Sequence, residues 1–157
     1  MLPNLDVTAV IVNYNAGKLL TDSVRQALLQ VQQIIVIDNA SHDDSLQLLE
    51  ATFCNEVRVK VIRFLENKGF AAGCNYGANL STTPYILFLN PDCFLQANCI
   101  NRLSEVISQQ KNIGMVGGLL VDKDGIEQRG ARRYIPTLRQ KLLLFLLEFE
   151  VMVVYVN

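Results

Sequence analysis

Two aspartates in this chain sit where a carboxylate could do chemistry. Asp92 follows the hydrophobic run Tyr85-Ile86-Leu87-Phe88-Leu89 after a short Asn90-Pro91 link. A carboxylate at such a rigid strand end is a good position for a metal, because Mg²⁺ or Mn²⁺ needs only one or two protein carboxylates when phosphate oxygens and waters complete the shell. Asn-Pro-Asp is also a common turn former, so a metal ligand and a plain turn residue both fit. Asp38 closes a second apolar run, residues 33–37. There it could accept hydrogen bonds from a nucleobase imide or a ribose hydroxyl, or serve the start of the helix near Ser41.

Other groups suit the same ligand chemistry. Asn13, Tyr14 and Asn15 follow the β-branched run 7–12, and Tyr14 offers either a flat face for a base to stack on or an ordinary surface aromatic. Gly69, Gly73 and Gly77 fall four apart, which on a helix makes one stripe without side chains. Close helix packing explains Gly77 best. Gly69 and Gly73 suit packing or close approach of a ligand to backbone N–H groups equally. Lys68 could meet a diphosphate or stay solvated, and His42, the only histidine, reads as a surface residue beside Ser41.

Positioning these residues requires alternating strands and helices. Strands are expected over 7–12, 33–37, 57–64, 85–89 and 114–121, and helices over 18–29, 43–53, 70–80 and 96–109, with a turn at 122–125. Such alternation predicts an α/β fold: a mainly parallel sheet flanked by helices on both faces. Ligands of open α/β sheets bind at the carboxyl ends of the strands. Four polar loops, at Asn13-Tyr14-Asn15, Asp38-Asn39, Glu66-Asn67-Lys68-Gly69 and Asn90-Pro91-Asp92, therefore belong on one rim.

Bulk properties narrow the field. At 157 residues, half of them hydrophobic and 18% charged, one compact unit with a proper core is expected. A formal charge of −1 without a basic run argues against a nucleic-acid partner. Cys54, Cys74, Cys93 and Cys99 show no C-x-x-C pair and no clustering with histidine, and Asp6 interrupts the N-terminal segment too early for a signal peptide. Reduced cytosolic thiols, mostly acting as small core hydrophobes, are expected. Residues 142–156 are apolar except for Glu148 and Glu150, too short and too acidic for a membrane span, and a buried or partner-seeking helix is expected there.

The four loops, in order, carry a family resemblance. Val10-Ile11-Val12-Asn13-Tyr14-Asn15, Val36-Ile37-Asp38-Asn39-Ala40-Ser41, Glu66-Asn67-Lys68-Gly69-Phe70-Ala71-Ala72-Gly73-Cys74-Asn75 and Leu87-Phe88-Leu89-Asn90-Pro91-Asp92 resemble the ordered motifs of family 2 glycosyltransferases. The rhamnosyltransferase-like branch of polysaccharide synthesis is the nearest. Gly117-Gly118-Leu119-Leu120-Val121-Asp122-Lys123-Asp124-Gly125 and Arg132-Arg133-Tyr134-Ile135-Pro136-Thr137 extend the similarity to about Leu138.

The resemblance implies a GT-A fold, a UDP- or dTDP-linked sugar donor, a divalent metal (Mg²⁺ or Mn²⁺) and inverting transfer to a cell-envelope or lipid-linked acceptor. It assigns the metal to Asp92, the final acid of a D-x-D-type motif whose first position is Asn90. It assigns base stacking to Tyr14 and base binding to Asp38. Asn13, Asn15, Asn67, Lys68, Gly69, Gly73, Asn75 and Asn90 complete the implied nucleotide site. The family's catalytic base belongs to a later segment with no match here, Glu148 and Glu150 included.

Residues 1–138 are thus expected to form the nucleotide-sugar-binding domain, with the acceptor side largely missing. Residues 139–157 form an apolar tail that could engage a second copy or another chain. The implied acceptor would place the protein in the cytoplasm, peripheral at the inner membrane face. The alternative, favoured by the unmatched catalytic base, is an inactive truncated remnant or a nucleotide-binding module; other α/β readings fit less well. A nicotinamide-dependent oxidoreductase needs G-x-G-x-x-G after strand one, and a sugar nucleotidyltransferase needs a basic glycine-rich loop there; residues 13–17 supply one glycine.

Overall fold

Apolar runs without a helical period become strands, and amphipathic runs between them become helices. A computed structural model describes residues 6–109, 113–122, 124–127 and, as backbone alone, 151–153. The order is β1 (Val7–Asn13), α1 (Lys18–Ala27), β2 (Gln33–Asp38), α2 (Ser45–Phe53), β3 (Val59–Arg63), α3 (Phe70–Asn79), β4 (Tyr85–Leu89), α4 (Cys99–Gln109), β5 (Met115–Gly117) and β6 (Val151–Val153). The sheet runs β3-β2-β1-β4-β6-β5, and its ladders are parallel.

β1 is buried along its whole length, as a strand covered on both faces must be. Val7, Ala9 and Ile11 join Leu20 and Val24 of α1, Leu49 of α2 and Leu103 of α4 in the larger core. Val12, Ile35 and Ile37 form the smaller core with Cys74 of α3 on the other face. The glycine stripe lets α3 sit directly on β1. A Cβ on Gly73 would lie 2.9 Å from both methyl groups of Val12, and one on Gly77 would fall inside contact with Val10.

Besides β5, which covers only Met115–Gly117 of the strand expected over 114–121, three expectations change. α4 begins at Cys99, not near residue 96. Residues 93–98 instead lie along α1, where Ser23 Oγ donates to the Cys93 carbonyl (2.8 Å) and Gln30 Nε2 to the Gln96 carbonyl (2.9 Å). Ser41 does not cap α2: the residue at the helix entry is Asp44, and the Ser41 hydroxyl is turned toward β1.

The third change concerns the tail. Where a helix was expected over 142–156, Val151–Val153 is a strand between β4 and β5, with Phe88 and Gly117 both in register with Val153. Valine suits an extended backbone, and a central slot pairs its peptide groups on both sides. The rest of that segment, with Glu148 and Glu150, and the 132–137 motif lie outside the described residues.

The turn expected at 122–125 is present, with Gly125 at φ 78° and Asp122 Oδ1 accepting from the amides of Asp124 and Ile126. None of the four cysteines forms a disulfide. Cys74 and Cys93 are core residues, and burial pushes the Cys74 thiol up to about 12. Among the described residues no helix is long and apolar enough to cross a membrane.

Candidate functional site

β1 pairs with β2 on one side and β4 on the other. The chain therefore leaves β1 in one direction and returns, through α3, to the opposite side. Loops that leave two such neighbouring strands diverge, and a crevice opens at their carboxyl ends. The loops after β1 and β4 border it.

Asn13 ends β1 fully buried, with Nδ2 2.8 Å from Asp38 Oδ1, 3.0 Å from Ser41 Oγ and 2.8 Å from Ser45 Oγ. Two N–H groups thus face three acceptors. Its Oδ1 accepts no hydrogen bond in the structure. Asp38, 3% exposed, also accepts from the Ser41 amide through Oδ2 at 3.2 Å. Both carboxylate oxygens are thereby oriented, and each keeps a lone pair for another donor.

The next two loops are tied as closely. Asn15, at φ 56°, donates its amide to Ser41 Oγ (3.0 Å) and accepts from the His42 amide through Oδ1 (2.8 Å). Gly17, at φ 55°, donates its amide to Asp43 Oδ2 (2.8 Å). Asp43 Oδ1 accepts from the Ser45 hydroxyl (2.5 Å) and the Ser45 amide (3.2 Å). Burial, the largest single influence, pushes the Asp43 carboxyl up, but the hydrogen bonds from Ser45 and Gly17 together outweigh it and hold the group below its ordinary 3.8. Tyr14 stands on this tethered loop, half exposed.

Asn39, 3% exposed, links the second loop to the third. Its Nδ2 donates to Asn67 Oδ1 (2.8 Å) and its Oδ1 accepts the Lys68 amide (2.8 Å). Asn67 Oδ1 also accepts the Gly69 amide (2.9 Å). Gly69 precedes α3 at φ 86°, ψ 161°, a conformation side-chain-bearing residues avoid, and no side chain caps the helix. The start of α3 can therefore offer N–H groups to an anion. Lys68 Nζ stands 5.2 Å from the Phe64 ring centroid, and Phe64 meets Tyr76 edge-on.

Gly73 has a different task from its neighbour Gly69. It faces Val12 and donates its amide to the Gly69 carbonyl (3.2 Å), so packing accounts for it. Asn75 is on the exposed side of α3. Asn90 accepts the Cys93 amide in a turn (3.1 Å), and Asp92 within that turn remains exposed, its Oδ1 3.7 Å from Cys93 Sγ. Asn-Pro-Asp is thus a turn, and one that leaves the Asp92 carboxylate accessible.

The chemistry of Asp92 fits a shared cation. Among the described residues no three metal-ligating side chains cluster. One accessible carboxylate suits an ion whose remaining ligands are diphosphate oxygens and water, not an ion caged by protein. Local rules missed Ser41, Asp43 and Ser45 as parts of the rim. Their spacing reads as a helix-entry signal, and only the 26- to 32-residue reach to β1 and its loop shows the second duty.

Comparison with known proteins adds independent findings. The Glycosyl transferase family 2 model matches residues 8–155. Glycosyltransferase GlyG of Streptococcus pneumoniae is 33% identical over 116 residues, covering 71% of this chain and 38% of GlyG. Succinoglycan biosynthesis protein ExoU of Rhizobium meliloti is 34% identical over 106 residues, covering 66% of this chain and 30% of ExoU. This chain thus spans less than two fifths of either relative. Among solved structures, GalNAc-T7 with UDP, GalNAc and Mn²⁺ superposes with a TM-score of 0.65 at 22% identity, over 76% of this chain and 23% of that one.

Proposed function

Since the chain belongs to glycosyl transferase family 2, we propose that its rim binds a nucleoside-diphosphate sugar, with uridine as the nucleoside, for inverting transfer to an acceptor hydroxyl. The observation that carries this reading is the tying together of three loops beside the β1–β4 crevice. Loops already tied in this way do not have to be ordered at the moment of binding. UDP in the GalNAc-T7 structure, and a second similar protein in complex with UDP-GlcNAc, support the choice of uridine.

In this reading Tyr14 stacks on the base, and the spare lone pairs of Asp38 accept from its imide. The open start of α3, with Lys68 beside it, faces the diphosphate. Asp92 would hold the divalent cation, with diphosphate oxygens and water as its remaining ligands, and Asn90, in the same turn, belongs to the nucleotide site. When bound, that cation offsets the charge that builds on the departing diphosphate. The protein's own part is to fix the donor so that its anomeric carbon is presented toward the acceptor side. The name of ExoU, a succinoglycan biosynthesis protein, supports a growing polysaccharide as acceptor.

Titration calorimetry with UDP, with and without MgCl₂ or MnCl₂, tests the assignment. UDP is expected to bind more tightly with the cation present, and Asp92→Ala to remove that cation dependence while leaving the thermal midpoint unchanged. Absence of UDP binding under both conditions sinks the donor site. Cation dependence that survives in Asp92→Ala removes Asp92 from it.

A further inference from the structure

We infer that Asp43 is a positioning residue for recognition of the nucleobase. The inference rests on the donor-site reading and deepens it. Tyr14 and Asn15 belong to a four-residue link between Asn13, which is locked in the sheet, and Lys18, where α1 begins. A link of that length could hold its aromatic ring in several places. Contact with the loop after β2 restricts it.

Three hydrogen bonds make that contact. Ser41 Oγ accepts from Asn15 N, Asn15 Oδ1 accepts from His42 N, and Asp43 Oδ2 accepts from Gly17 N. The first two join neutral groups. The third is charge-assisted, and such bonds are roughly twice as strong as neutral ones. Asp43 also holds Ser45 through its other oxygen, and the Ser45 hydroxyl in turn accepts from Asn13 Nδ2. One carboxylate therefore spans from the far end of the Tyr14 loop to the amide that orients Asp38.

The base would be read by Tyr14 and Asp38, the two residues that this chain of bonds relates to each other. The diphosphate would meet Lys68, the start of α3 and Asp92, whereas the hydrogen bonds of Asp43 go to Gly17 and Ser45. Loss of Asp43 should therefore weaken recognition of the base selectively.

The test titrates the wild-type chain, Asp43→Ala and Asp43→Asn with UDP and with ribose 5′-diphosphate, which lacks the base, each with MgCl₂ present. Asp43→Ala is expected to bind UDP about tenfold more weakly, in line with losing charge-assisted hydrogen bonds, and ribose 5′-diphosphate within about twofold of wild type. Asp43→Asn keeps one acceptor oxygen and should fall between; it carries the test should Asp43→Ala fail to fold. Unchanged UDP affinity in the variants overturns the inference. So does parallel weakening of both ligands, which marks general loosening of the rim. A wild-type chain that does not bind UDP overturns the donor site itself, and the inference with it.

Discussion

At the scale of single residues, the rim is organised by amides and carboxylates whose partners lie far away in sequence. For Asp43 the energetic result is a dependence on pH. Its carboxyl is held below 3.8 in the folded chain, so the stabilisation it contributes is fully present above 3.8 and is lost as pH falls through the lower folded value. Asp43→Asn should therefore flatten the acid side of the stability profile. Thermal midpoints measured from neutral pH downward check this: wild type and variant are expected to converge in the most acidic samples, and a constant offset at every pH contradicts it. The residue types of this site were readable from the sequence, and Asp38, Asn67 and Asp92 lie where strand-end logic puts them. The partnerships were not. Ser41, Asp43 and Ser45 obey a local pattern for starting a helix, and the competing bonds to Asn13, Asn15 and Gly17 depend on the pairing of β1 with β2.

At the scale of elements, α3 lies against β1 because its sheet-facing side lacks side chains. Gly77→Ala would drive a methyl group into Val10, and Gly73→Ala would press on Val12, whose methyl groups lie 2.9 Å from the added carbon. Overpacking of this kind typically costs about 1–3 kcal/mol. Both variants are expected to lower the denaturant midpoint, Gly77→Ala the more. Equal stability with wild type means that α3 is free to shift outward. The four-residue spacing made this stripe visible in sequence, although it could not separate packing from ligand approach at Gly73. Only the position of Val12 decides that. Helix starts were less visible: residues 96–98 suit a helix, yet the chain there is held by Gln30, in the turn just after α1.

At the scale of the whole molecule, β5 reaches β4 only through β6. Deleting residues 151–157 should release β5 while leaving β1, β2 and β3 paired. Amide hydrogen exchange is expected to accelerate at Met115–Gly117 and remain slow in β1, and protection at β5 that survives the deletion contradicts the observed strand order. The parallel sheet itself was foreseeable from the alternation of element types. The place of β6 was not, because a short apolar run has no period that separates a strand from a buried helix.

The same arrangement bears on the order of folding. β1, β2, β3 and β4 come from the first 89 residues and can pair among themselves, whereas β5 must wait for a segment that lies more than thirty positions further along the chain. Closing that loop requires entropy to be lost before the ladders on either side form. The crevice between β1 and β4 can therefore be assembled while the sheet's far side is still unpaired.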